Sequence, residues 1–197
     1  AVRDRNMGIW QDVWLEATGP VTVRDPAAFT EVSLPKADQA SVTVRGYLDN
    51  ATTNSLPVEL TTRIAPLGFA DRVIECTTTV QAGPGKSEFI LKPADYPALK
   101  MEHPHLWWPV GYGKANLYKL TVTARVHGKP GGAASSLMGV RSVETSINQY
   151  GGREWRINGR TIRITGGAWV PDMLLSWSAQ RYLDGIRLLA GGNHTLV

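Results

Sequence analysis

The amino-acid sequence predicts a mainly β protein, in which an immunoglobulin-like β-sandwich is followed by a short α/β segment. Strand-like segments recur at short spacing from about residue 29 to residue 143, with turn residues between them and no helical periodicity. About seven short strands over roughly a hundred residues are typical of immunoglobulin-like sandwiches. After residue 144 the pattern changes to a hairpin, a strand, a helix and a further strand, which indicates the beginning of a parallel sheet.

The chain ahead of the sandwich is expected to hold one or two strands between residues 9 and 23. A Thr-Gly-Pro turn at 18–20 breaks this stretch. Residues 24–26 then predict a short linker, because Pro26 biases Asp25 toward extended backbone geometry. The sandwich itself is predicted to begin at residue 27.

Seven segments of the sandwich region carry strand signals. Residues 41–48 show them most clearly, because apolar and polar side chains alternate there as in a sheet with one face in water. Turn residues separate the strands at 49–54, 82–85 and 127–132. The predicted strands are 30–34, 41–49, 58–64, 72–80, 87–92, 117–127 and 137–145.

The region that follows the sandwich begins with a hairpin signal. Asn158-Gly159 lies between alternating apolar residues, and this dipeptide is the strongest short-range sign of a β-hairpin. Residues 165–172 then resemble a strand whose glycines allow a close backbone approach. The change of pattern predicts a domain boundary near Thr145.

A helix is predicted over residues 178–190. Ser178 is a favourable N-cap and Gly191 a favourable terminator. Residues 194–197 begin another strand, so a βαβ unit is expected. The predicted apolar stripe of the helix consists of Tyr182, Leu183, Ile186 and Leu189.

Composition excludes several classes of function. The chain of 197 residues has a net charge of +4, but its basic residues are scattered, so nucleic acid is not an expected partner. The sequence contains no run of about eighteen apolar residues, which is the length that a membrane span requires. Cys76 is the only cysteine, which excludes an intrachain disulfide, and the four histidines lack the spacing of metal ligands. We therefore expect no metal site and no cofactor.

Trp107 and Trp108 are adjacent in a chain that has seven tryptophans. Neighbouring residues of a strand point to opposite faces of a sheet, so both rings cannot lie in one sheet core. One ring is expected in the sandwich core, and the other is expected to face a neighbouring domain. A packing role is favoured over a sugar contact, because interfaces between domains are rich in aromatic residues.

Five motifs in order resemble glycoside hydrolase family 2, in particular its branch of β-mannosidases and exo-β-glucosaminidases. Leu-Trp-Trp-Pro at 106–109, with Gly113 and Asn-Leu-Tyr at 116–118, is the most specific of them. Residues 5–15 are similar to the end of the family's jelly-roll sugar-binding domain, and residues 19–26 are similar to the crossing into its immunoglobulin-like domain. Residues 139–144 are similar to its Gly-Phe-Arg-x-Val/Ile-Glu segment, with Val140 in place of the aromatic residue. Residues 157–159 and 166–172 are similar to the entry into its TIM barrel.

The resemblance implies a three-part fragment whose two ends look cut. Residues 1–26 would end a jelly-roll domain, 27–144 would form the immunoglobulin-like sandwich, and 145–197 would start a TIM-barrel catalytic domain with its first βαβ unit. The family uses two glutamates as acid/base and nucleophile, about 5–5.5 Å apart as in other retaining glycosidases. Both lie on later barrel strands, so the fragment is expected to contain no catalytic residue and to be inactive.

The resemblance also implies what the parent protein does. It would be a retaining exo-β-glycosidase whose carbohydrate substrate ends in β-mannose or β-glucosamine. An acidic subsite would favour glucosamine through its ammonium group. The sandwich would orient neighbouring domains of the same chain. A secreted or periplasmic location suits such a parent, although no residue of this chain specifies one.

Trp169 and Asp172 are the candidate substrate-binding residues of the parent. Asp172 follows a predicted barrel strand, and barrel enzymes build their sites at that end of the strands. An indole can stack on a pyranose, and a carboxylate can accept hydrogen bonds from hydroxyl or ammonium groups. Ala168 stands where relatives often carry Asn, which removes one polar sugar contact. The alternative role for both candidates is packing and helix entry. The other carboxylates considered for a catalytic pair are Glu144, Glu154 and Asp184.

Two other functions are compatible with the sequence. A non-catalytic carbohydrate-binding or adhesion module would present an exposed planar row of tryptophans on one sandwich face. The hairpin and βαβ pattern after Trp155 argue against this function. A structural spacer that orients neighbouring domains describes the sandwich taken alone, because sandwich folds carry no function by themselves.

Overall fold

The computed structural model describes residues 9, 12–170 and 178–196, and it contains two four-stranded antiparallel sheets and a third sheet of three strands. The elements of the described residues are β1 (Val21–Val32), β2 (Gln39–Asn50), β3 (Leu56–Leu67), β4 (Ile74–Ala82), β5 (Gly85–Leu91), a 3₁₀ turn (Pro97–Leu99), β6 (Lys100–Glu102), β7 (Leu117–Val126), β8 (Lys129–Met138), β9 (Val143–Ile147), β10 (Arg153–Ile157), β11 (Arg160–Ile162) and α1 (Ala179–Gly191). Within the described ranges, no helix is long and apolar enough to cross a membrane.

The first two sheets form the predicted sandwich. One sheet has the order β1–β2–β5, with β6 also paired to β2, and the other has the order β4–β3–β7–β8. The core between them follows from alternation along each strand: Val42, Val44 and Leu48 of β2 are fully buried, and their neighbours are more exposed. The mainly β, sandwich-based fold class is therefore confirmed.

Two predictions about the N-terminal region are wrong. Residues 12–19 contain no strand, and the first strand of the described residues begins at Val21. Residues 24–26 lie inside β1 and do not form a linker. The pairing with β2 shifts register between Arg24 and Ala27, and Asp25 has a φ of 49°. This β-bulge explains how β1 accommodates Pro26, which has no N–H to give to the ladder.

The sequence predicts only the last two residues of strand β8, because the rest of the strand is rich in glycine, alanine and serine. The turn before it is confined to His127 and Gly128, both with positive φ, where the sequence predicts a longer turn over 127–132. The small residues are needed for packing: a Cβ on Gly131 would lie 2.6 Å from the carbonyl oxygen of Val21 in β1. The predicted strand 137–145 is in fact the end of β8 followed by a separate strand, β9.

The third sheet has the order β11–β10–β9 and confirms the predicted hairpin. Ile157 pairs with Arg160 across a two-residue turn, and the turn residues Asn158 and Gly159 have φ values of 50° and 77°. Positive φ at both central positions is the requirement of a type I′ turn, which is why Asn-Gly is favoured there.

The predicted helix and the parallel pairing beside it are also present. The Ser178 hydroxyl accepts a hydrogen bond from the backbone N–H of Arg181 at 3.2 Å, as an N-cap residue should. The last helical residue is Gly191, one position beyond the predicted end. Gly166 and Leu196 form an isolated parallel β-bridge. The described residues 165–170 form no strand beyond that bridge, so the predicted strand over 165–172 is wrong for this part.

Tyr118, on β7, forms hydrogen bonds with two loops, one containing Asp71 and the other His105. Its side chain is fully buried, and its hydroxyl donates to the carboxylate of Asp71 and accepts from the backbone N–H of His105 at 3.1 Å. Phe69 packs edge-on against the phenol ring at 5.2 Å. Burial, and secondly the hydrogen bond to Asp71, raise the pKa of Tyr118 above its ordinary value of 10.0.

Replacing Tyr118 with Phe is expected to lower the free energy of unfolding by about 1–3 kcal/mol, because a carboxylate and an N–H lose their partner. The protein should also lose stability above about pH 10, where the unfolded chain releases the phenolic proton and the folded chain retains it. The stabilisation that comes from the protonated Tyr118 phenol is therefore fully present below about pH 10. The Tyr118→Phe variant lacks it at every pH. Urea denaturation of both proteins between pH 8 and pH 11 measures it, and parallel pH profiles would contradict it.

Candidate functional site

Trp169 lies three residues beyond Gly166, which forms an isolated parallel β-bridge with Leu196. Its ring stacks on Tyr182 of α1, with centroids 5.5 Å apart and planes inclined by 30°. The ring also lies over Gly185, where a Cβ would be 2.4 Å from Cη2 of the indole. Trp169 keeps 37% of its surface exposed, so one side of the ring packs on the helix while another part is available to a ligand.

Asp172, the second predicted substrate residue, lies outside the described residues. Its approach to Trp169 therefore stays a prediction. The described structure supports the packing role considered for Trp169, because Tyr182 and Gly185 both contact the ring.

Hydrogen bonds hold the segment that leads to Trp169. The backbone N–H of Thr195 donates to the carbonyl oxygen of Thr165 at 2.8 Å. The Thr165 hydroxyl donates to the carbonyl oxygen of Asn193 at 2.9 Å, and the Thr195 hydroxyl donates to that of Arg163 at 3.1 Å. These bonds join residues about thirty positions apart, so they fix the start of this segment relative to the end of the helix.

The three described carboxylates considered as catalytic candidates form ordinary surface contacts. Glu144 is exposed on β9, opposite Arg156 of β10, and Glu154 forms an ion pair with the same arginine at 3.7 Å. Asp184 accepts from Gln180 at 2.7 Å and pairs with Arg187 at 3.2 Å. In these contacts a guanidinium or an amide neighbours each carboxylate, which is not the pairing of an acid with a nucleophile.

Three of the four histidines have contacts or backbone conformations that favour a structural role. His105 packs on Phe69 with ring centroids 4.9 Å apart, and His103 and His127 occupy backbone positions with φ of 48° and 49°. Among the described residues, no group of three or more His, Cys, Asp or Glu side chains could hold a metal ion. Cys76 of β4 is a free thiol, and burial raises the pKa of that thiol.

The Trp107 ring faces the C-terminal part of the chain. It lies under the guanidinium of Arg141 at 4.3 Å, and its backbone N–H donates to Val140 at 2.9 Å. Trp107 and Arg141 both line an apolar cavity of about 240 Å³. Lining the cavity with Trp107 are Pro109, Arg141, Val143, Trp155, Ile157, Ile162, Ile164, Thr195 and Leu196.

Trp108 packs within its own loop, where a Cβ on Gly113 would lie 2.7 Å from the indole Cγ. Both tryptophans are only partly buried, and neither belongs to the fully buried core. The prediction that one ring lies in the sandwich core is therefore wrong. Trp107, however, does lie between the sandwich and the segment that follows it, as a packing role requires.

Sequence reasoning missed the contacts of the Asn158 side chain, which we call the Asn158 clamp. The side chain is nearly buried; its amide donates to the Trp107 carbonyl oxygen at 3.0 Å and its oxygen accepts from the Ser142 N–H at 2.9 Å. The backbone N–H of Asn158 also donates to the Ser142 carbonyl oxygen at 3.1 Å. The clamp thus joins the β10–β11 turn to the sandwich. The Asn-Gly dipeptide signals the turn, but no local pattern signals a partner 51 positions away.

Comparison with known protein families gives one match that covers most of the sandwich. The model of the family described as glycosyl hydrolases family 2 matches residues 21–141. That range begins at the first residue of β1 and ends three residues after β8. It therefore coincides with the two-sheet sandwich described above.

Several characterised proteins resemble nearly the whole chain. An exo-beta-D-glucosaminidase of Amycolatopsis orientalis is 30% identical over 184 residues, which are 93% of this chain and 17% of that protein. A mannosylglycoprotein endo-beta-mannosidase of Lilium longiflorum is 30% identical over 202 residues, which are 100% of this chain and 21% of that protein. The chain thus spans about a fifth of the length of these relatives.

A solved structure resembles the fold over the same extent. The crystal structure of the Amycolatopsis orientalis exo-chitosanase CsxA superposes with a TM-score of 0.74 and 28% sequence identity. The superposition covers 93% of this chain and 20% of that protein. The similarity therefore extends beyond the 121 residues that the family model matches.

Proposed function

Because the chain belongs to glycosyl hydrolases family 2, we propose that it is part of a retaining exo-β-glycosidase that releases terminal β-glucosaminyl or β-mannosyl residues. The observation that carries this proposal is the 30% identity to an exo-beta-D-glucosaminidase over 93% of the chain. The structural similarity to an exo-chitosanase favours β-glucosaminides as the first substrates to test. The similarity to an endo-beta-mannosidase keeps β-mannosides as the second class.

The proposal divides the chain into three parts. Residues 1–26 would end a jelly-roll sugar-binding domain, 27–144 would form the immunoglobulin-like domain, and 145–197 would begin the catalytic barrel. The parallel bridge between Gly166 and Leu196, with α1 between the two bridged residues, supports the assignment of the third part. The bulge within β1 supports moving the first boundary to about residue 20.

The proposed role of the sandwich is to orient the start of the barrel. The Asn158 clamp supports this role, because its hydrogen bond to Trp107 joins the β10–β11 turn to the sandwich. A sugar-binding platform on the sandwich has less support. Strands β1 to β8 contain no tryptophan, so an exposed planar row of indoles cannot form on either sheet of the sandwich.

The purified 197-residue chain is expected to release no p-nitrophenol above the buffer rate from p-nitrophenyl β-D-glucosaminide or β-D-mannoside. The reason is that the proposed acid/base and nucleophile glutamates belong to later barrel strands. A longer protein that continues this sequence through a whole barrel should hydrolyse one of the two. Turnover by the 197-residue chain would contradict the proposed location of the catalytic pair. Inactivity of the longer protein on both substrates would contradict the proposed function.

In that longer protein, Trp169→Ala is expected to lower kcat/KM by about three- to tenfold, the value of one lost stacking contact. Asp172→Asn should lower kcat/KM for the glucosaminide more than for the mannoside, because only the former carries an ammonium group. Phe29→Ala is the control, since Phe29 is an aromatic residue of the sandwich strand β1 and 52% exposed. Equal kinetics for the Trp169 and Phe29 variants would assign Trp169 to packing alone.

A further inference from the structure

We propose that a basic pocket between the sandwich and the α/β segment binds a small anion that carries a phosphate or carboxylate group. The pocket has a volume of about 650 Å³, within the size range of small-molecule sites. Tyr112, Arg160, Arg163, Asn193 and His194 supply its functional side chains. Three separate segments of the chain contribute these residues, so the pocket exists only in the folded protein.

The walls of the basic pocket are held in place by hydrogen bonds. The Tyr112 hydroxyl accepts from the backbone N–H of Arg163 at 2.7 Å, which joins the sandwich loop to the segment after β11. The Thr165 hydroxyl donates to the Asn193 carbonyl oxygen, and the Thr195 hydroxyl donates to the Arg163 carbonyl oxygen. A ligand that enters such a preformed site loses less free energy to ordering the protein.

The charge in the pocket is uncompensated. Its lining contains two arginines and a histidine but no aspartate or glutamate. Neither Arg160 nor Arg163 forms an ion pair within the part of the chain that the structure describes. The guanidinium of Arg160 lies over the Tyr112 ring at 5.0 Å, which fixes its position without neutralising it. The Nδ1 atom of His194 is buried and lacks a hydrogen-bond partner among the described residues.

These features define the chemistry of the ligand. Arginine presents planar, paired donors that match the oxygens of phosphate and carboxylate groups. A glucosamine ligand carries an ammonium group, which two arginines would repel. The pocket therefore suits a ligand of opposite charge to the substrate favoured under the proposed function.

The position of the pocket also separates it from the proposed substrate site. Trp169 packs on Tyr182 and Gly185 of α1. The pocket is lined instead by residues 192–195, which follow the last residue of that helix. Ten helical positions separate Tyr182 from Gly192, roughly 15 Å along the helix axis. The anion site can fail or succeed independently of the glycosidase proposal.

The test is an NMR titration of the ¹⁵N-labelled chain with sodium phosphate and, separately, sodium acetate, at constant ionic strength and pH 7. Backbone amides of Gly111, Arg163 and Asn193 are expected to shift in a saturable manner, with a Kd of about 1–10 mM. Saturation by phosphate alone assigns a phosphate ligand, and saturation by both anions assigns a shared oxyanion chemistry. Glucosamine hydrochloride should produce no saturable shift.

Variants distinguish a built site from general charge screening. Arg163→Gln is expected to weaken anion binding at least fivefold, whereas Arg163→Lys, which retains the charge, should weaken it less. Arg125→Gln is the matched control, because Arg125 is an exposed arginine of β7 outside the pocket. Unchanged urea midpoints would show that the variants fold. The absence of saturation up to about 100 mM anion, or equal weakening by the Arg163 and Arg125 variants to Gln, would overturn the proposal.

Discussion

Gly131→Ala is expected to lower the free energy of unfolding by about 2–4 kcal/mol, because the added methyl group overlaps backbone atoms of two other strands. The new Cβ would lie 2.6 Å from the carbonyl oxygen of Val21 and 3.0 Å from that of Ala124. Both atoms belong to backbone, in β1 and β7, so neither can move aside by a change of rotamer. Relief of the overlap requires the sandwich to open along β8.

The measurement is urea denaturation followed by circular dichroism. Gly83→Ala is the matched control, because a Cβ on Gly83 would meet no atom within 4 Å and its φ is not positive. The control should change the free energy of unfolding by less than about 0.5 kcal/mol. If Gly131→Ala shifts the midpoint no more than Gly83→Ala does, the close approach of β8 to β1 is not the reason for its small residues.

Asn158→Gly is expected to lower by about 2 kcal/mol the free energy needed to separate the third sheet from the sandwich. Glycine retains the left-handed backbone geometry but removes two hydrogen bonds, to Trp107 and from Ser142, and leaves both backbone groups without that partner. Asn158→Ala should cost about 1 kcal/mol more, because a Cβ is unfavourable at a φ of 50°.

Hydrogen exchange at the backbone amide of Ser142 reports on the Asn158 clamp directly, since that amide donates to the Asn158 side chain. Its protection should fall in both variants while that of Val44 and Val122 in the core stays high. Asn193→Gly is the matched control: Asn193 also has a positive φ, of 56°, but its side chain forms no hydrogen bond within the described residues. Retained protection at Ser142 in Asn158→Gly would show that the clamp is not what joins the sheets.

Local signals were sufficient where one element determines its own geometry. Alternation predicts β2, β3 and β7 because the period of a strand is two, whatever it packs against. Asn158-Gly159 predicts a type I′ hairpin because few other residues tolerate both φ values. Ser178 predicts the start of α1 because N-capping depends on neighbours in sequence, and Gly191 predicts its end to within one residue.

Predictions of secondary structure failed where contact with another strand determines the backbone conformation. The glycines of β8 look like a turn, but they let β8 lie close to β1, more than a hundred positions earlier in the chain. Pro26 looks like a linker, but pairing with β2 keeps it inside β1 as part of a bulge. In both cases the pairing partner overrides local propensity.

By itself, the sequence determined the order of the elements, the sandwich class and the resemblance to a family, because periodicity, turn chemistry and motif order are properties of neighbouring residues. The contacts of individual side chains with distant parts of the chain depend on the tertiary structure. Trp107 faces the third sheet, Trp169 packs on Tyr182, and Tyr112 and Arg163 line one pocket. These contacts join positions from 13 to more than 50 residues apart, and the register and packing of whole sheets, which no local pattern encodes, bring them together.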